Sequence, residues 1–327
     1  MSANRITRRS IMAAALAAPA VARAQGAAWT PTRPLRFVVP FPPGGATDVV
    51  ARVLADRMQA VLGQPVTVEN RTGAGGNVGV ENVVRSAPDG YSILMGTTGT
   101  LTINPHLYTN MGFNPATDLT PIGMAFATDH VLIVNPTVPA QNLQEFLALL
   151  RERPGALSYG SGGNGSSTHL VPELFKMVAG VQMQHVPYRG SAPALNDTVA
   201  GNVQVMLDQL PSALAQVQGG RVRALAVTGP KRSSLLPNLP TFAEAGLADA
   251  QATSWGAVMG PAGMPANVTE RLSAVIRDVL AEPAVQQRLA AAGADAVSST
   301  PTELATTMRD ETAKWGRVVR EARITVN

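Results

Sequence analysis

The chain has 327 residues, of which 45% are hydrophobic and 15% are charged, and this ratio excludes an intrinsically disordered protein. It contains no cysteine, which excludes disulfide bonds, thiol nucleophiles and cysteine-ligated zinc. The length favours two domains or one large one. Beyond the extreme N-terminus, no apolar stretch reaches the roughly 18 residues needed to cross a bilayer.

Residues 1–24 match an export signal. A basic region that contains Thr7-Arg8-Arg9-Ser10, similar to a twin-arginine signal, precedes the apolar stretch 11–22, and Ala22-Arg23-Ala24 supplies the small residues that signal peptidase requires. The general secretory route remains open, and an amphipathic membrane-surface helix is the alternative reading. The segment contains four of the 26 basic residues and no acidic one, so the remaining chain is neutral. We therefore expect a periplasmic protein that does not bind nucleic acid.

Short β-branched stretches alternate with helical patterns along the rest of the chain, which predicts βαβ units around mainly parallel sheets. Predicted strands lie at 35–40, 66–69, 91–95, 131–134, 157–159, 183–188, 203–207, 222–227 and 255–259. Predicted helices start near residues 48, 78, 143, 169, 192, 267, 283 and 302. The first of these helices is expected to have Thr47 or Asp48 as its N-cap.

This pattern predicts an α/β fold with two lobes, each a mainly parallel sheet flanked by helices, and further helices at the C-terminus. The crossings between the lobes are expected near residues 130 and 250. Residues 25–130 and 251–327 are then assigned to lobe 1, and residues 131–250 to lobe 2.

Two loops share one design, in which a strand leads through a turn of small residues into the start of a helix. The first contains Gly44 and Gly45, and the second runs from Gly160 to Thr168. The first N–H groups of a helix have no partner inside it, and the helix dipole adds positive potential, so such a loop can bind phosphate or carboxylate. A single loop of this kind often serves only to connect a strand and a helix. Two of them, one in each lobe, indicate opposed anion sites suited to a small mono- or dicarboxylate.

Several polar side chains near these loops are candidate ligands. Asn164, Ser166 and Thr168 can donate hydrogen bonds to a carboxylate, or cap the following helix. Thr97 and Thr98 follow a strand at the edge where α/β sheets bind ligands, although turn formation explains them equally well. Asp208 could bind a ligand amine, orient a water molecule or hold a hinge by accepting backbone N–H bonds.

No enzymatic motif is convincing. The segment Gly160-x-Gly162-x-x-Gly165 matches a dinucleotide fingerprint, but the next strand ends at Arg189 without the acidic residue that binds ribose. Walker A and nucleophile-elbow motifs are absent from the sequence. The four histidines are scattered and have no zinc-binding spacing. We therefore expect no catalytic residue, no metal and no cofactor.

Several segments together resemble the substrate-binding proteins of tripartite tricarboxylate transporters, the Bug family. They occur in order along nearly the whole mature chain, so a chance match is very improbable. They are RPL (33–35), VPFPPGGATD (39–48), VENRTGAGGN (68–77), APDGY (87–91), YGSG (159–162), SSTHL (166–170), HVPYRG (185–190), RALAVT (223–228), PTFAEAG (240–246) and GPAG (260–263). Two departures are Thr72, where the family usually has proline, and Leu207-Asp208-Gln209 in place of the commoner Phe-Asp-Asn.

The resemblance implies a type II-like periplasmic binding-protein fold that closes around a small organic acid. It also implies delivery of the acid to the membrane permease subunits of the transporter, by a receptor expected to be a monomer. The residues that it implies as ligand contacts are Phe41, Pro42, Gly44, Gly45 and Thr47 in lobe 1, and Ser161, Asn164, Ser166 and Thr168 in lobe 2. Gly190, in the turn that follows the predicted strand 183–188, is a further candidate ligand contact. Two alternatives stay open: an exported enzyme that binds a cofactor at Gly160–Gly165, and a ligand sensor that contacts a histidine-kinase ectodomain.

Overall fold

The computed structural model describes residues 29–325, so the expected signal peptide lies outside the described residues. The strands of this part are Leu35–Val39 (β1), Val66–Asn70 (β2), Ser92–Thr97 (β3), Leu119–Val134 (β4), Ser158–Ser161 (β5), Gln184–Pro187 (β6), Val205–Gln209 (β7), Arg223–Val227 (β8), Thr253–Pro261 (β9) and Asp295–Ala296 (β10). The helices are Ala46–Leu62 (α1), Asn77–Val84 (α2), Asn104–Leu107 (α3), Leu143–Glu152 (α4), Ser167–Ala179 (α5), Ser191–Ala200 (α6), Leu210–Gln218 (α7), Ala266–Ala281 (α8), Pro283–Ala291 (α9) and Pro301–Glu321 (α10).

The strands are ordered β2-β1-β3-β9-β4-β7-β5-β6, and β8 and β10 also pair with β4. Strand β4 belongs to two strand groups. Up to Asp129 it pairs with β9, and from His130 onward it pairs with β7 and β8. We call β1–β3, β9, β10 and residues 119–129 the first strand group, and β5–β8 with residues 130–134 the second strand group.

The carboxyl ends of the parallel strands in both groups point toward the middle of β4. In the first group β3 and β4 both run antiparallel to β9. Gly256 of β9 pairs with Thr97, the last residue of β3, and with Phe126 of β4, so β3 ends level with Phe126. In the second group β7 runs antiparallel to β4, and its last residue, Gln209, pairs with His130. The loops that follow β1–β3 and β5–β7 therefore approach the same section of β4 from opposite sides.

Each strand group is covered by helices on both faces, as the alternation of apolar side chains requires. In β1, Phe37 and Val39 lie in a core cluster with α1, α8 and α9, whereas Val38 lies in a cluster with α2 and α10. In β4, Leu132 packs in a cluster with α4 and α5, and Ile133 packs in a cluster with α6 and α7. The predicted α/β class is confirmed, with antiparallel pairing at the centre and parallel pairing at the two ends.

Some local predictions were wrong. Helix α1 has Gly45 as its N-cap instead of Thr47 or Asp48, because the chain is already helical at those residues. The strand expected at 131–134 begins at Leu119, and α3 and α7 were not anticipated. Helix α10 contributes Met308 to a core cluster of the first group and Trp315 to one of the second. The assignment of whole segments to two lobes therefore stays a prediction.

Within residues 29–325, no helix combines the length and the hydrophobicity that crossing a membrane requires. The longest helix, α10, is strongly amphipathic, with Leu304 and Trp315 buried and charged side chains along its exposed face. It begins with a capping box in which Thr300 and Glu303 bond to each other's backbone N–H groups.

Candidate functional site

The loop between β1 and α1 presents unpaired backbone N–H groups. Gly44 has φ 89°, a conformation that favours glycine and that turns the chain into the helix. No side chain bonds to the N-terminus of α1, and the N–H groups of Ala46, Thr47 and Asp48 make no hydrogen bond within residues 29–325. The Thr47 hydroxyl has no partner there either. These unbonded donors have the chemistry that an anion site requires, and the binding of an anion here stays a prediction.

A polar network fixes this loop from below. Asp48 Oδ2 accepts a hydrogen bond from Gly44 N at 2.9 Å, and Asn70 Nδ2 donates both to Phe41 O and to Asp48 Oδ1 at 2.9 Å. Arg52 binds both oxygens of the Asp48 carboxylate at 2.9 and 3.0 Å. Burial alone would raise the pKa of Asp48, but the bonds from Arg52, Gly44 and Asn70 together hold it below its usual value. The carboxylate therefore stays ionised, and Arg52 compensates its charge beside the unpaired amides.

The end of β3 is held by hydrogen bonds within its own strand group. Thr98 is buried, and its hydroxyl accepts a bond from Trp255 N at 2.9 Å and is 3.3 Å from Trp255 O. Thr97 exchanges hydrogen bonds with Thr100 across a tight turn. The hydroxyl of Thr98 thus joins the end of β3 to β9, whereas Thr97 makes the contacts of a turn. A ligand role for Thr97 or Thr98 stays a prediction.

The glycine loop between β5 and α5 differs from the expectation of unpaired amides, because its own side chains bind them. Gly162 N donates to Thr168 Oγ1 at 2.8 Å, and Gly163 N donates to Ser161 Oγ at 3.1 Å. Gly165 N donates to His169 Nδ1 at 3.2 Å. Ser161 and Thr168 are buried, so their hydroxyl groups shape the loop from inside.

The remaining donors of this loop lie at its tip. Ser166 is the N-cap of α5, but its hydroxyl donates to Gly163 O at 2.7 Å, lies 3.0 Å from Thr168 Oγ1 and accepts no bond from a backbone N–H of the helix. The N–H groups of Ser167 and Thr168 make no hydrogen bond within the described residues. Asn164 is exposed, and its side chain has no partner there. Gly190, with φ 119°, precedes α6 and donates to Gly162 O at 3.1 Å, which joins the two turns.

Asp208 is fully buried at the end of β7. Its carboxylate accepts hydrogen bonds from Gln209 N at 2.9 Å and Ser212 Oγ at 2.5 Å. Burial raises the pKa of Asp208 to about 6, and the bonds from Ser212, Gln209 and Ser191 oppose this rise. The contacts are those of a residue that holds the start of α7, so contact with a ligand stays a prediction.

Sequence reasoning missed the residues that support both loops. The sequence pattern does not identify Asp48 and Asn70 as loop supports, and the four histidines lie scattered along the chain. The structure stacks His169 on His185, with ring centroids 3.8 Å apart, and places His185 Nε2 2.6 Å from Ser161 Oγ. The spacing of these residues along the chain gives no signal of this contact, which depends on the register that pairs Tyr159 of β5 with His185 of β6.

Two open surface cavities lie away from these loops. One of about 440 Å³ is lined by Pro105 and residues 108–115, and one of about 400 Å³ is lined by residues between 217 and 239. None of the expected site residues lines either cavity. Within residues 29–325, no cluster of three or more histidine, aspartate or glutamate side chains could hold a metal ion.

The family model of the tripartite tricarboxylate transporter family receptor matches residues 50–324. The chain belongs to this family. Among curated relatives of this receptor is Protein BugT of Bordetella pertussis, 38% identical over 292 residues, which cover 89% of this chain and 90% of BugT. A UPF0065 protein from the tcbD-tcbE intergenic region of Pseudomonas sp. strain P51 is 39% identical over 306 residues, covering 93% of this chain and 91% of the relative.

Solved structures resemble the receptor along nearly its whole length. The R. palustris protein Rpa4515 with adipate has a TM-score of 0.85 at 36% identity, covering 90% of this chain and 99% of that one. Periplasmic binding protein BugD has a TM-score of 0.82 at 35% identity, covering 90% and 100%. MatC from Rhodopseudomonas palustris with bound malate has a TM-score of 0.80 at 32% identity, covering 88% and 99%. The receptor therefore has the periplasmic binding-protein fold, and the resemblance found in the sequence is confirmed.

Proposed function

We propose that this receptor binds a small organic acid, a mono- or dicarboxylate, between the β1–α1 loop and the glycine loop of β5–α5. The closed, liganded form then delivers the acid to the membrane permease subunits of a tripartite tricarboxylate transporter. The observation that carries the proposal is the set of unpaired N–H groups of Ala46, Thr47 and Asp48 at the start of α1. Two related structures, with adipate and with malate, support a carboxylate as the ligand class.

The β1–α1 loop can bind an anion through its backbone N–H groups, a mode of binding that requires no lysine or arginine. Three N–H groups and the helix dipole supply a partial positive charge near half an elementary charge. Arg52, the cation bonded to this network, is already paired with Asp48. Binding through backbone dipoles allows the ligand to be released again, because no buried ion pair has to be broken.

Closure of the site is attributed to the two segments that connect the strand groups. Residues 129–130 of β4 and the segment between β8 and β9 are these connections. A ligand that contacts both loops favours the closed state by the difference between its affinities for the two states. We further propose export to the periplasm by the signal in residues 1–24 and function as a monomer.

A thermal-shift panel of mono- and dicarboxylates, including adipate and malate, tests the proposal. An acid at 100 times its dissociation constant adds about 2.7 kcal/mol to the free energy of unfolding, so a binding acid raises the melting temperature. Thr47→Val should weaken the binding of that acid, whereas the matched control Thr306→Val, on the exposed face of α10, should not change it. If no acid raises the melting temperature while nucleotides do, the proposal is wrong.

A further inference from the structure

Beneath the glycine loop, three aromatic rings form one continuous stack. Tyr159 of β5 lies against His185 of β6 with centroids 4.9 Å apart, and His185 lies against His169 of α5 at 3.8 Å and an interplanar angle of 7°. Tyr159 and His169 are buried, and His185 is half-buried. Stacked rings on two neighbouring strands and a helix form a rigid platform.

The platform is joined to the loop by two hydrogen-bonded routes. His169 Nδ1 accepts directly from Gly165 N at 3.2 Å. His185 Nε2 bonds to Ser161 Oγ at 2.6 Å, and Ser161 Oγ in turn accepts from Gly163 N at 3.1 Å. Gly163 needs its glycine, because its φ is 121° and a Cβ would lie 3.0 Å from Tyr188 O. The two rings thus hold two amides of a loop whose glycines would otherwise leave it free to move.

The platform is fixed in turn by a charged pair behind it. Tyr159 Oη donates to Glu173 Oε1 at 2.5 Å, and Lys176 Nζ binds both oxygens of that carboxylate at 2.7 and 2.8 Å. Burial lowers the pKa of His169 to about 4, and burial together with the neighbouring His169 lowers that of His185 to about 3. Both rings are therefore neutral at physiological pH. This is the form that the bond from Gly165 N requires, since only an unprotonated Nδ1 can accept.

We propose that His169 and His185 are positioning residues that hold the glycine loop of the second strand group in its ligand-receiving shape before the ligand arrives. The inference rests on the proposed function, because it assigns this loop to the binding site. A loop that is already ordered loses little conformational entropy on binding, so the ring pair contributes to affinity without touching the ligand. The donors left for the ligand are then the exposed side chain of Asn164 and the unbonded N–H groups of Ser167 and Thr168.

The first test uses the unliganded protein. Long-range ¹H–¹⁵N spectra at pH 7 should show His169 protonated at Nε2, and hydrogen exchange should show Gly163 and Gly165 protected. His169→Asn places an acceptor where Nδ1 lies and should keep Gly165 protected, whereas His169→Leu should lose that protection. Unprotected Gly163 and Gly165 amides in the wild type, or His169 protonated at Nδ1, would overturn the inference.

The second test measures affinity for adipate and malate by calorimetry. His185→Phe keeps a stacking ring but removes the bond to Ser161, and His169→Leu removes the bond to Gly165. Each should weaken binding about five- to tenfold. His185→Gln and His169→Asn should restore most of the loss. Phe146→Leu, in the core of the same strand group, should lower the melting temperature but leave the affinity unchanged.

The outcomes separate the two proposals. Unchanged affinity in folded His185→Phe and His169→Leu proteins contradicts the positioning role even if the receptor binds acids. If the wild type binds no organic acid, the proposed function fails, and the tautomer and exchange results still decide whether the histidines hold the loop.

Discussion

Asp129 and His130 are consecutive residues of β4, yet Asp129 pairs with Thr253 of β9 and His130 pairs with Gln209 of β7. The segment between β8 and β9, the second connection between the strand groups, is bonded to the same part of β4 through Thr228. Its Oγ1 accepts from His130 N at 2.9 Å and donates to Ala252 O at 2.6 Å. The two connections between the strand groups are thus bonded to each other. We expect any rotation of one group against the other to bend the chain here.

The first prediction concerns Asp129, whose carboxylate lies against the backbone of Gly229, where a Cβ would be 2.0 Å from Oδ2. Burial raises its pKa from 3.8 to about 6, Asp295 adds to the rise, and Thr253 and Lys231 oppose it. A carboxyl group whose pKa is raised in the folded state contributes to the free energy of unfolding below about pH 4. This contribution is lost as the pH rises through about 6. Asp129→Asn should therefore increase the free energy of unfolding at pH 7.5 by about 1 kcal/mol.

Urea denaturation at pH 4 and pH 7.5 checks this prediction. The gain should vanish at pH 4, and Asp278→Asn, which changes an exposed aspartate of α8, should show no gain at either pH. A variant that is no more stable than the wild type at pH 7.5 would show that the Asp129 carboxylate is not strained by burial.

The second prediction concerns His169, whose pKa is lowered by burial from 6.5 to about 4. A histidine whose pKa is lowered in the folded state makes its full contribution to the free energy of unfolding above about pH 6.5. This contribution is lost as the pH falls toward about 4. The wild type should therefore lose about 2 kcal/mol relative to His169→Asn over this range. Denaturation curves of both proteins at several pH values measure the difference between their free energies of unfolding. The opposite pH dependence of Asp129 and Asp208 cancels in this difference, because both proteins contain these residues. Parallel curves would contradict the burial of a neutral ring.

The third prediction separates structure from binding at Thr98. Thr98→Val keeps the shape of the side chain but leaves Trp255 N without its partner, which should cost about 1–3 kcal/mol of unfolding free energy. Calorimetry should show an unchanged affinity for the bound acid, since the hydroxyl is already occupied by the Trp255 backbone. A loss of affinity larger than the loss of stability would assign Thr98 to the ligand.

The fourth prediction concerns Asn70, which holds Phe41 O and Asp48 Oδ1 with one amide group. Asn70→Ala should loosen the β1–α1 loop, lowering the unfolding free energy by about 1 kcal/mol and the affinity about fivefold. Urea denaturation and calorimetry measure the two effects. The control Asn238→Ala changes an exposed asparagine with no hydrogen bond among the described residues. Equal behaviour of the two variants would contradict the support role of Asn70.

The sequence predicted the strands that are followed by glycine-rich loops, because β-branched runs and small-residue turns are local signals. It missed the first half of β4, where Pro121 and Gly123 interrupt a strand whose pairing with β9 comes from far along the chain. The sequence also did not show that the N–H groups of Gly162 and Gly163 are hydrogen-bonded to side chains of their own loop. Their partners, Thr168 and Ser161, are residues that the sequence offers as ligand donors, and only coordinates show those hydroxyl groups already bonded.

The contact between His169 and His185 was likewise not predictable from the sequence. His169 and His185 are neighbours because α5 packs over β5 and β6 in one particular register, with Tyr159 opposite His185. No spacing rule along the chain encodes that contact. In contrast, the segment Val39–Asp48 predicted the turn from β1 into α1, because prolines and glycines after a β-branched strand are local signals. The uncapped start of α1 was not predicted, since the sequence offers Thr47 or Asp48 as its N-cap.

The most direct test is to follow the backbone amide resonances of Ala46, Thr47 and Asp48 while the receptor is titrated with an organic acid that raises its melting temperature. We expect these three N–H protons to shift downfield and to saturate together with the calorimetric binding curve, because they donate to the carboxylate. If they stay in place while the acid binds and resonances elsewhere move, the acid binds at another site and the proposed role of the β1–α1 loop is wrong.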